Sequence, residues 1–272
     1  MSVAELKKGW CPTLTKPMES GDGLLVRINL PSGMINATIA RAVAALSTQY
    51  GNEQIDLTSR GNIQIRGVST ENYTPLFKAL SELGVIEEPR AAKVEIPRAL
   101  AELGYKDSTL TLGLLFGRVT AATLSWLADQ SVDGMIYLST QRTMSLRNIS
   151  ADKAELLLAE AENMGFITRT HDSRRAIEAC PGAPACISAH GQTRSLALAI
   201  ANALPNLAKD GKTIHVSGCI KGCACAKVTS RMITAGLDGY TMAIDAKADD
   251  APLLTNVSAQ SVIQILTEWN NA

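Results

Sequence analysis

Five of the six cysteines in this 272-residue chain lie in one segment, and their spacing favours metal binding. Cys180 and Cys186 are separated by five residues, and Cys219 and Cys223 by three. Thiols that recur at short spacings in a chain without a secretory signal are more often metal ligands than disulfide partners. Four thiolates can hold a 4Fe-4S cluster or a tetrahedral zinc ion. The sequence therefore predicts a metal centre on these four residues.

The residues around the two cysteine pairs favour a cluster over zinc. Pro181, Gly182 and Pro184 prevent a regular helix between the first two cysteines, so an irregular loop can wrap both sulfurs around a compact anionic group. Gly218 and Gly222 bracket the second pair and permit a close approach of the backbone. Zinc sites usually use two C-x2–4-C pairs, and a separation of five residues is less usual. Zinc and unliganded structural cysteines stay open as alternatives.

Two segments upstream of these cysteines repeat one order of predicted elements, β-α-β-β-α. An offset of 81 residues superposes Arg66 on Arg147 and Gly84 on Gly165. Each copy has one apolar sheet face, so two copies could pair around a pseudo-two-fold axis. The alternative to a repeat is that two unrelated α+β segments have the same order of elements by chance. The predicted elements are strands at 24–30, 54–57 and 63–68 with helices at 37–49 and 73–83, then strands at 110–116, 135–138 and 143–149 with helices at 120–129 and 153–164.

The overall composition excludes several classes of function. Lys and Arg total 26, equal to Asp and Glu at 26, and this balance argues against non-specific binding of nucleic acid. No run of 18 apolar residues indicates a transmembrane helix. Residues 1–16 lack the apolar segment of a secretory signal. We therefore expect a cytoplasmic α+β protein with no membrane or nucleic-acid partner.

The cysteine pattern resembles the cluster signature of the sulfite and nitrite reductase superfamily, and further stretches resemble the precorrin-3B synthases of aerobic cobalamin biosynthesis. The resemblance implies two ferredoxin-like half-domains at 1–90 and 91–170, followed by an α/β iron–sulfur core half at 171–272. The stretches that carry the resemblance are residues 11–12, 17–24, 57–67, 179–185 and 215–223.

The chain departs from the family pattern in two places. The family interposes a second core half between the two ferredoxin-like units, and here only a linker at about residues 87–106 occupies that place. Family members often continue after the fourth ligand with Ala-His-Pro, whereas this chain has Ala224-Cys225-Ala226. The resemblance is therefore to a shortened member that lacks one core half.

The resemblance implies an oxidoreductase that hydroxylates precorrin-3A at C20 with dioxygen and closes a γ-lactone. The cluster would relay electrons from an external donor, and a separate non-haem iron would activate oxygen. The sequence identifies no catalytic residue and no ligands for that iron, because His171, His190 and His215 do not form a recognisable set. Two alternatives are a sirohaem-dependent sulfite or nitrite reductase and a non-catalytic 4Fe-4S electron-transfer or remnant protein. The oligomeric state is not predicted.

A tetrapyrrole precursor is a polycarboxylate, so its site should present fixed cations, and the guanidinium fork pairs well with a carboxylate. Arg60, Arg66 and Arg147 lie on strand or turn positions of the two repeats and are the predicted substrate-binding residues. By resemblance, Arg60 occupies the position of a family arginine that faces the tetrapyrrole. A solvated surface cation is the alternative for each. Weaker candidates are Arg27, Arg142, Lys221 and Lys227.

Overall fold

The computed structural model describes residues 10–30, 32–85 and 101–271. The chain divides into two compact units. The paired-repeat unit is Cys11–Thr170, and the cysteine unit comprises the residues from His171 onward together with Trp10. The predicted boundaries of the three domains stay predictions, and the boundary between residues 90 and 91 lies outside the described residues.

The paired-repeat unit contains the two β-α-β-β-α copies that the sequence predicts. The first copy contains β1 (Met18–Ser20), β2 (Gly23–Ile28), β3 (Met34–Asn36), α1 (Ala37–Tyr50), β4 (Gln54–Leu57), β5 (Ile63–Val68) and α2 (Thr70–Glu82). The second contains β6 (Gly104–Lys106), β7 (Thr109–Gly113), β8 (Arg118–Thr120), α3 (Ala121–Gln130), β9 (Met135–Leu138), β10 (Thr143–Arg147) and α4 (Ala151–Asn163). The strand predicted at 110–116 ends earlier, because residues 115–117 form a 3-10 turn.

The two copies exchange a strand with each other. The sheet orders are β1-β2-β5-β4-β8 and β3-β9-β10-β7-β6. Strand β8 of the second copy pairs with β4 of the first, placing Val119 opposite Ile55. Strand β3 of the first copy pairs with β9 of the second, placing Ile35 opposite Ile136. Each copy therefore completes the other's sheet and covers an edge that would otherwise be open to pairing.

Backbone conformation repeats at the offset found in the sequence. Ser69 and Ser150 cap α2 and α4, and each hydroxyl accepts a hydrogen bond from the backbone three residues later. Positive φ angles also recur 81 residues apart, where the chain turns sharply between elements. These residues are the pairs Glu53/Gly134, Gly61/Arg142, Gly67/Asn148 and Gly84/Gly165. The repeat prediction is confirmed.

One continuous apolar core holds the paired repeats together. Ile55 and Ile65 from the first sheet and Leu112 and Ile136 from the second are all fully buried. Helices α1 and α3 pack against each other. Because the core side chains come from both copies, this burial stabilises the pairing as well as each copy.

The cysteine unit is a mixed five-stranded sheet with helices. Its strand order is β11-β12-β13-β14-β15, in which β11, β12 and β13 are parallel and the remaining pairs are antiparallel. No helix within the described ranges is long and apolar enough to span a membrane. The elements are β11 (Ile177–Ala179), α5 (Thr193–Ala203), β12 (Ile214–Ser217), β13 (Thr229–Gly236), β14 (Gly239–Ala246), β15 (Leu254–Val257) and α6 (Ala259–Asn271).

Candidate metal centre

Two adjacent parallel strands deliver the two cysteine pairs to one edge of the sheet. Strand β11 ends at Ala179, immediately before Cys180, and β12 ends at Ser217, two residues before Cys219. In the ladder, Ala179 lies opposite Val216. Because the carboxyl ends of neighbouring parallel strands emerge together, loops distant in sequence become neighbours, as at many α/β binding sites.

Backbone hydrogen bonds hold the first cysteine loop in an irregular path. The Cys186 N–H donates to the Gly182 carbonyl at 2.8 Å, and the His190 N–H donates to the Gly218 carbonyl of the second loop at 2.8 Å. Gly182 has φ +70°, and a Cβ there would lie 2.6 Å from Thr193 Oγ1. The loop therefore needs glycine at position 182, and it is tied directly to the second loop.

Two backbone N–H groups point at cysteine sulfurs. The Gly218 N–H donates to Cys180 Sγ at 3.1 Å. The Lys221 N–H donates to Cys219 Sγ, and this bond opposes the rise in the pKa of that thiol. Hydrogen bonds to cysteine sulfurs stabilise their negative charge and tune an iron–sulfur centre. The second loop thus contributes hydrogen-bond donors as well as two of the predicted ligands.

The four thiols lie within electrostatic range of one another. Cys180 and Cys219 are buried, Cys186 is half-buried and Cys223 is exposed. The pKa of the Cys219 thiol is raised, first by loss of hydration and further by the charges of Cys186 and Cys180. Although Cys223 as a whole residue is exposed, its thiol loses hydration, which raises its pKa, and Cys219, Cys180 and Cys186 raise the pKa further. Without metal, the two thiols with raised pKa values stay protonated at neutral pH, so binding a metal must release protons.

The four cysteines come from two loops at one edge of the sheet. Within the described ranges, no group of three or more His, Cys, Asp or Glu side chains lies close enough together to hold a metal ion. The cluster on these four residues therefore stays a prediction, with zinc as its alternative.

Gly218→Ala should impair cluster assembly. Its Cβ would lie 2.6 Å from the Ala189 Cβ and 3.4 Å from Cys180 Sγ, so the two loops would have to separate. We expect a loss of cluster affinity of about tenfold or more, as for other changes beside metal ligands. Visible absorption after reconstitution at limiting iron measures it. The double variant Gly218→Ala/Ala189→Gly removes the colliding methyl and should regain absorption, whereas full assembly in the single variant would contradict this packing.

Arg66, one of the predicted substrate-binding residues, is buried in a network of ion pairs. Its side chain is only 2% exposed. Its Nε and Nη2 donate to the Asp22 carboxylate at 2.9 and 2.8 Å, and its Nη1 donates to Asp56 Oδ2 at 3.0 Å. Arg118 also donates to Asp56. Burial lowers the pKa of Arg66, but Asp56 and Asp22 outweigh it and raise the pKa overall. This network favours a structural role for Arg66 over a contact with substrate.

Arg60 and Arg147 lie at the surface in different settings. Arg147 is exposed and stacks over the Tyr137 ring, 3.8 Å from its centroid. Tyr137 is the repeat equivalent of Asp56, so a cation–π contact replaces the ion pair of the first copy. Arg60 is exposed, and its Nη1 donates to Cys11 Sγ at 3.8 Å. Both stay predicted substrate-binding residues.

The weaker candidates are mostly engaged within the protein. Arg27 donates to Gln64 Oε1 at 2.7 Å, and Lys221 Nζ donates to Ser188 Oγ at 2.7 Å. The Arg142 side chain lies against Gly117, with its Cδ 2.6 Å from where a Cβ would stand. The histidines form no set, since His171 and His190 are exposed while His215 is buried in β12.

The structure adds residues that the sequence did not single out. Thr193 is fully buried, and its hydroxyl donates to the Cys180 carbonyl and lies 4.0 Å from Cys180 Sγ. A cavity of about 150 Å³ also opens beside the second cysteine loop. The sequence did not indicate that residues 247–249, which follow β14, would lie beside the second cysteine loop. The cavity is lined by Lys221, Gly222, Cys225, Ala226, Lys247, Ala248 and Asp249.

The chain is similar to a nitrite/sulfite reductase domain, to a precorrin-3B synthase and to a nitrite reductase. Residues 16–83 match the nitrite/sulfite reductase ferredoxin-like half domain. A precorrin-3B synthase of Sinorhizobium sp is 22% identical over 393 aligned positions, which cover 92% of this chain and 86% of that protein. A ferredoxin–nitrite reductase of Leptolyngbya laminosa is 27% identical over 77 residues, 28% of this chain and 15% of that protein. The Mycobacterium tuberculosis NirA structure matches with a TM-score of 0.71 at 12% identity, covering 91% of this chain and 80% of NirA.

The alignment with the precorrin-3B synthase is longer than this chain. Its 393 positions exceed the chain's 272 residues by 121, so at least that many residues of the relative have no counterpart here. That one core half is the missing part stays a prediction of the sequence.

Proposed function

We propose that this chain, which belongs to the sulfite/nitrite reductase superfamily, is an iron–sulfur oxidoreductase of the precorrin-3B synthase type. In this proposal it hydroxylates precorrin-3A at C20 with dioxygen and forms a γ-lactone. The similarity to a precorrin-3B synthase over 92% of the chain carries the proposal. The shared sheet edge of the two cysteine pairs supports it, because that edge brings together the two loops whose cysteines would hold the cofactor.

Cys180, Cys186, Cys219 and Cys223 would hold a 4Fe-4S cluster, which would supply single electrons from an external donor. The Gly218 N–H bond to Cys180 Sγ would stabilise negative charge on that sulfur. The Lys221 N–H does the same for Cys219. Both donors belong to the backbone of one loop, so their positions do not depend on a mobile side chain. One sulfur of each pair would therefore have its charge partly compensated by a backbone donor.

The proposed substrate is a polycarboxylate, so its binding site should contain positively charged side chains. Arg60 and Arg147 are exposed and can reach a ligand from solvent. Arg66 is left out of this proposal because its buried guanidinium already pairs with Asp22 and Asp56. The non-haem iron of the proposed reaction has no ligand set among the described side chains, so no residue is assigned to it.

A sirohaem-dependent reductase is the second candidate, favoured by the match of residues 16–83 to the ferredoxin-like half domain of nitrite and sulfite reductases. A non-catalytic electron-transfer protein is the third, favoured by the 121 or more missing positions. The absorption spectrum separates the reductase from the other two. Purified sirohaem protein shows a Soret band and a red band, and a protein with only the cluster does not.

The proposed reaction is tested with the full chain after anaerobic reconstitution of its cluster. Precorrin-3A, a reductant and oxygen are then supplied, and products are followed by mass spectrometry. We expect a product heavier by one oxygen atom, formed only when both oxygen and reductant are present. No oxygen-dependent gain in mass, despite an intact cluster, would contradict the synthase and favour an electron-transfer role.

A further inference from the structure

A hydrogen bond between side chains connects the two cysteine loops. Lys221 lies between Cys219 and Cys223 in the second loop, and its Nζ donates to Ser188 Oγ in the first loop at 2.7 Å. Ser188 follows Cys186 by two positions in the sequence. The bond therefore joins the loops at points that are close in sequence to a predicted ligand on each side.

A backbone hydrogen bond ties the same two loops at a different place. The His190 N–H donates to the Gly218 carbonyl at 2.8 Å. A single tie would let one loop pivot about the other, whereas two separate ties restrict that rotation. Of these two bonds, the one from Lys221 to Ser188 depends on side chains, so a substitution can remove it without altering the backbone. The relative position of the two cysteine pairs therefore depends in part on Lys221.

The Lys221 ammonium also acts on the cysteine sulfurs through its charge. Loss of hydration raises the pKa of the Cys219 and Cys223 thiols, and the Lys221 charge opposes that rise at both. Its hydrogen-bond partner, the Ser188 hydroxyl, is neutral. Within the part of the chain that the structure describes, Lys221 forms no ion pair, so no carboxylate cancels its charge. A positive charge beside a thiolate stabilises the charged form of the sulfur.

We propose that Lys221 is a positioning residue of the metal centre, which holds the two cysteine loops together through Ser188 and offsets the negative charge of the thiolate ligands. This inference rests on the proposed function, because it takes the four cysteines as ligands of the predicted cluster. A cation beside a cluster stabilises its reduced, more negative state, so the Lys221 charge should raise the reduction potential. Lys221 thus serves the metal centre and is not a substrate contact.

The hydrogen bond is tested by the rate at which the reconstituted full chain loses iron to a chelator. Ser188→Ala removes the acceptor and leaves the ammonium, whereas Lys221→Met removes the ammonium itself. Each should release iron about tenfold faster, the scale of loss for a partner beside metal ligands. Lys221→Arg keeps a charged donor and should restore slow release. The matched control is Lys209→Met, which removes an exposed lysine of the same unit and should leave the rate unchanged.

The charge is tested by the reduction potential of the reconstituted chain, followed by visible absorption in a spectroelectrochemical titration. Lys221→Met should lower the ratio of reduced to oxidised cluster at a fixed potential about tenfold, which is about 59 mV for one electron. Ser188→Ala and Lys221→Arg retain the positive charge and should shift the ratio less. A loss of packing alone would not produce this order among the three variants.

The outcomes separate this role of Lys221 from the proposed function. If the chain assembles a cluster and Lys221→Met changes neither iron release nor potential, the role of Lys221 is wrong while the proposed function stands. Faster iron release that Lys221→Arg does not reverse, at an unchanged potential, would reduce Lys221 to a packing contact and also overturn the role. If the chain instead takes up zinc without sulfide, the proposed function fails. Zinc release from Ser188→Ala and Lys221→Met as slow as from the unaltered chain would then overturn the role as well.

Discussion

We expect that replacing any one of Cys180, Cys186, Cys219 and Cys223 with serine abolishes the broad visible absorption that a 4Fe-4S cluster would give the reconstituted protein. A serine hydroxyl is protonated at neutral pH and is a much poorer ligand for iron than a thiolate. At position 180 a hydrogen bond would also be weakened. The Gly218 N–H lies 3.1 Å from Cys180 Sγ, and a serine oxygen, on a shorter bond to Cβ, would lie farther from it. Each of the four changes should therefore prevent a stable cluster.

The matched controls are the two remaining cysteines. Cys11→Ser should leave the absorption intact, because Cys11 lies in the paired-repeat unit and contacts Arg60. Cys225→Ser should also leave it intact, because Cys225 Sγ lies 3.8 Å from the Lys227 carbonyl on the cavity side of the loop. If Cys223→Ser kept a normal spectrum while Cys225→Ser lost it, the fourth ligand would be Cys225 and the assignment would be wrong.

Replacing Arg66 with methionine should destabilise the protein by about 3–5 kcal/mol, the usual cost of removing one partner from a buried ion pair. The change leaves the Asp22 carboxylate, whose side chain is only 16% exposed, without its bidentate partner. Asp56 keeps Arg118 but loses one of its two cations. The free energy of unfolding from urea denaturation measures the effect.

The matched control is Arg41→Met, which breaks an ion pair with Asp129 at the surface. Those side chains are 42% and 56% exposed, so the expected loss is below about 1 kcal/mol. If Arg66→Met were no more destabilised than Arg41→Met but bound uroporphyrin III, a stable polycarboxylate tetrapyrrole, more weakly, Arg66 would be a substrate contact, as the sequence first suggested.

The repeat could be predicted from the sequence because each copy has helices and strands long enough to show a periodic pattern. The strand exchange could not. Strands β3 and β8 are three residues each, too short for an alternating pattern to emerge. Their partners also belong to the other copy, so no local signal indicates the pairing.

The spacing of the cysteines predicts that they form one site, and their placement at one edge of the sheet depends on the topology. Gly218 lies 38 positions after Cys180 in the sequence, yet its N–H donates to Cys180 Sγ. The parallel pairing of β11 with β12 explains this, because it brings the loop that follows each strand to the same edge of the sheet. The burial of Arg66 was not predictable, since a charged residue on a strand normally indicates an exposed face. Its partner Asp22 is 44 residues away in the sequence.

The most direct test of the cluster is a count of iron and acid-labile sulfide in the anaerobically reconstituted chain, together with zinc. A 4Fe-4S centre on Cys180, Cys186, Cys219 and Cys223 predicts about four irons and four sulfides per chain and no stoichiometric zinc. The quadruple Cys→Ser variant should retain none of the iron or sulfide. One zinc per chain without sulfide, or iron that survives in the quadruple variant, would contradict the cluster and the electron-relay function proposed for it.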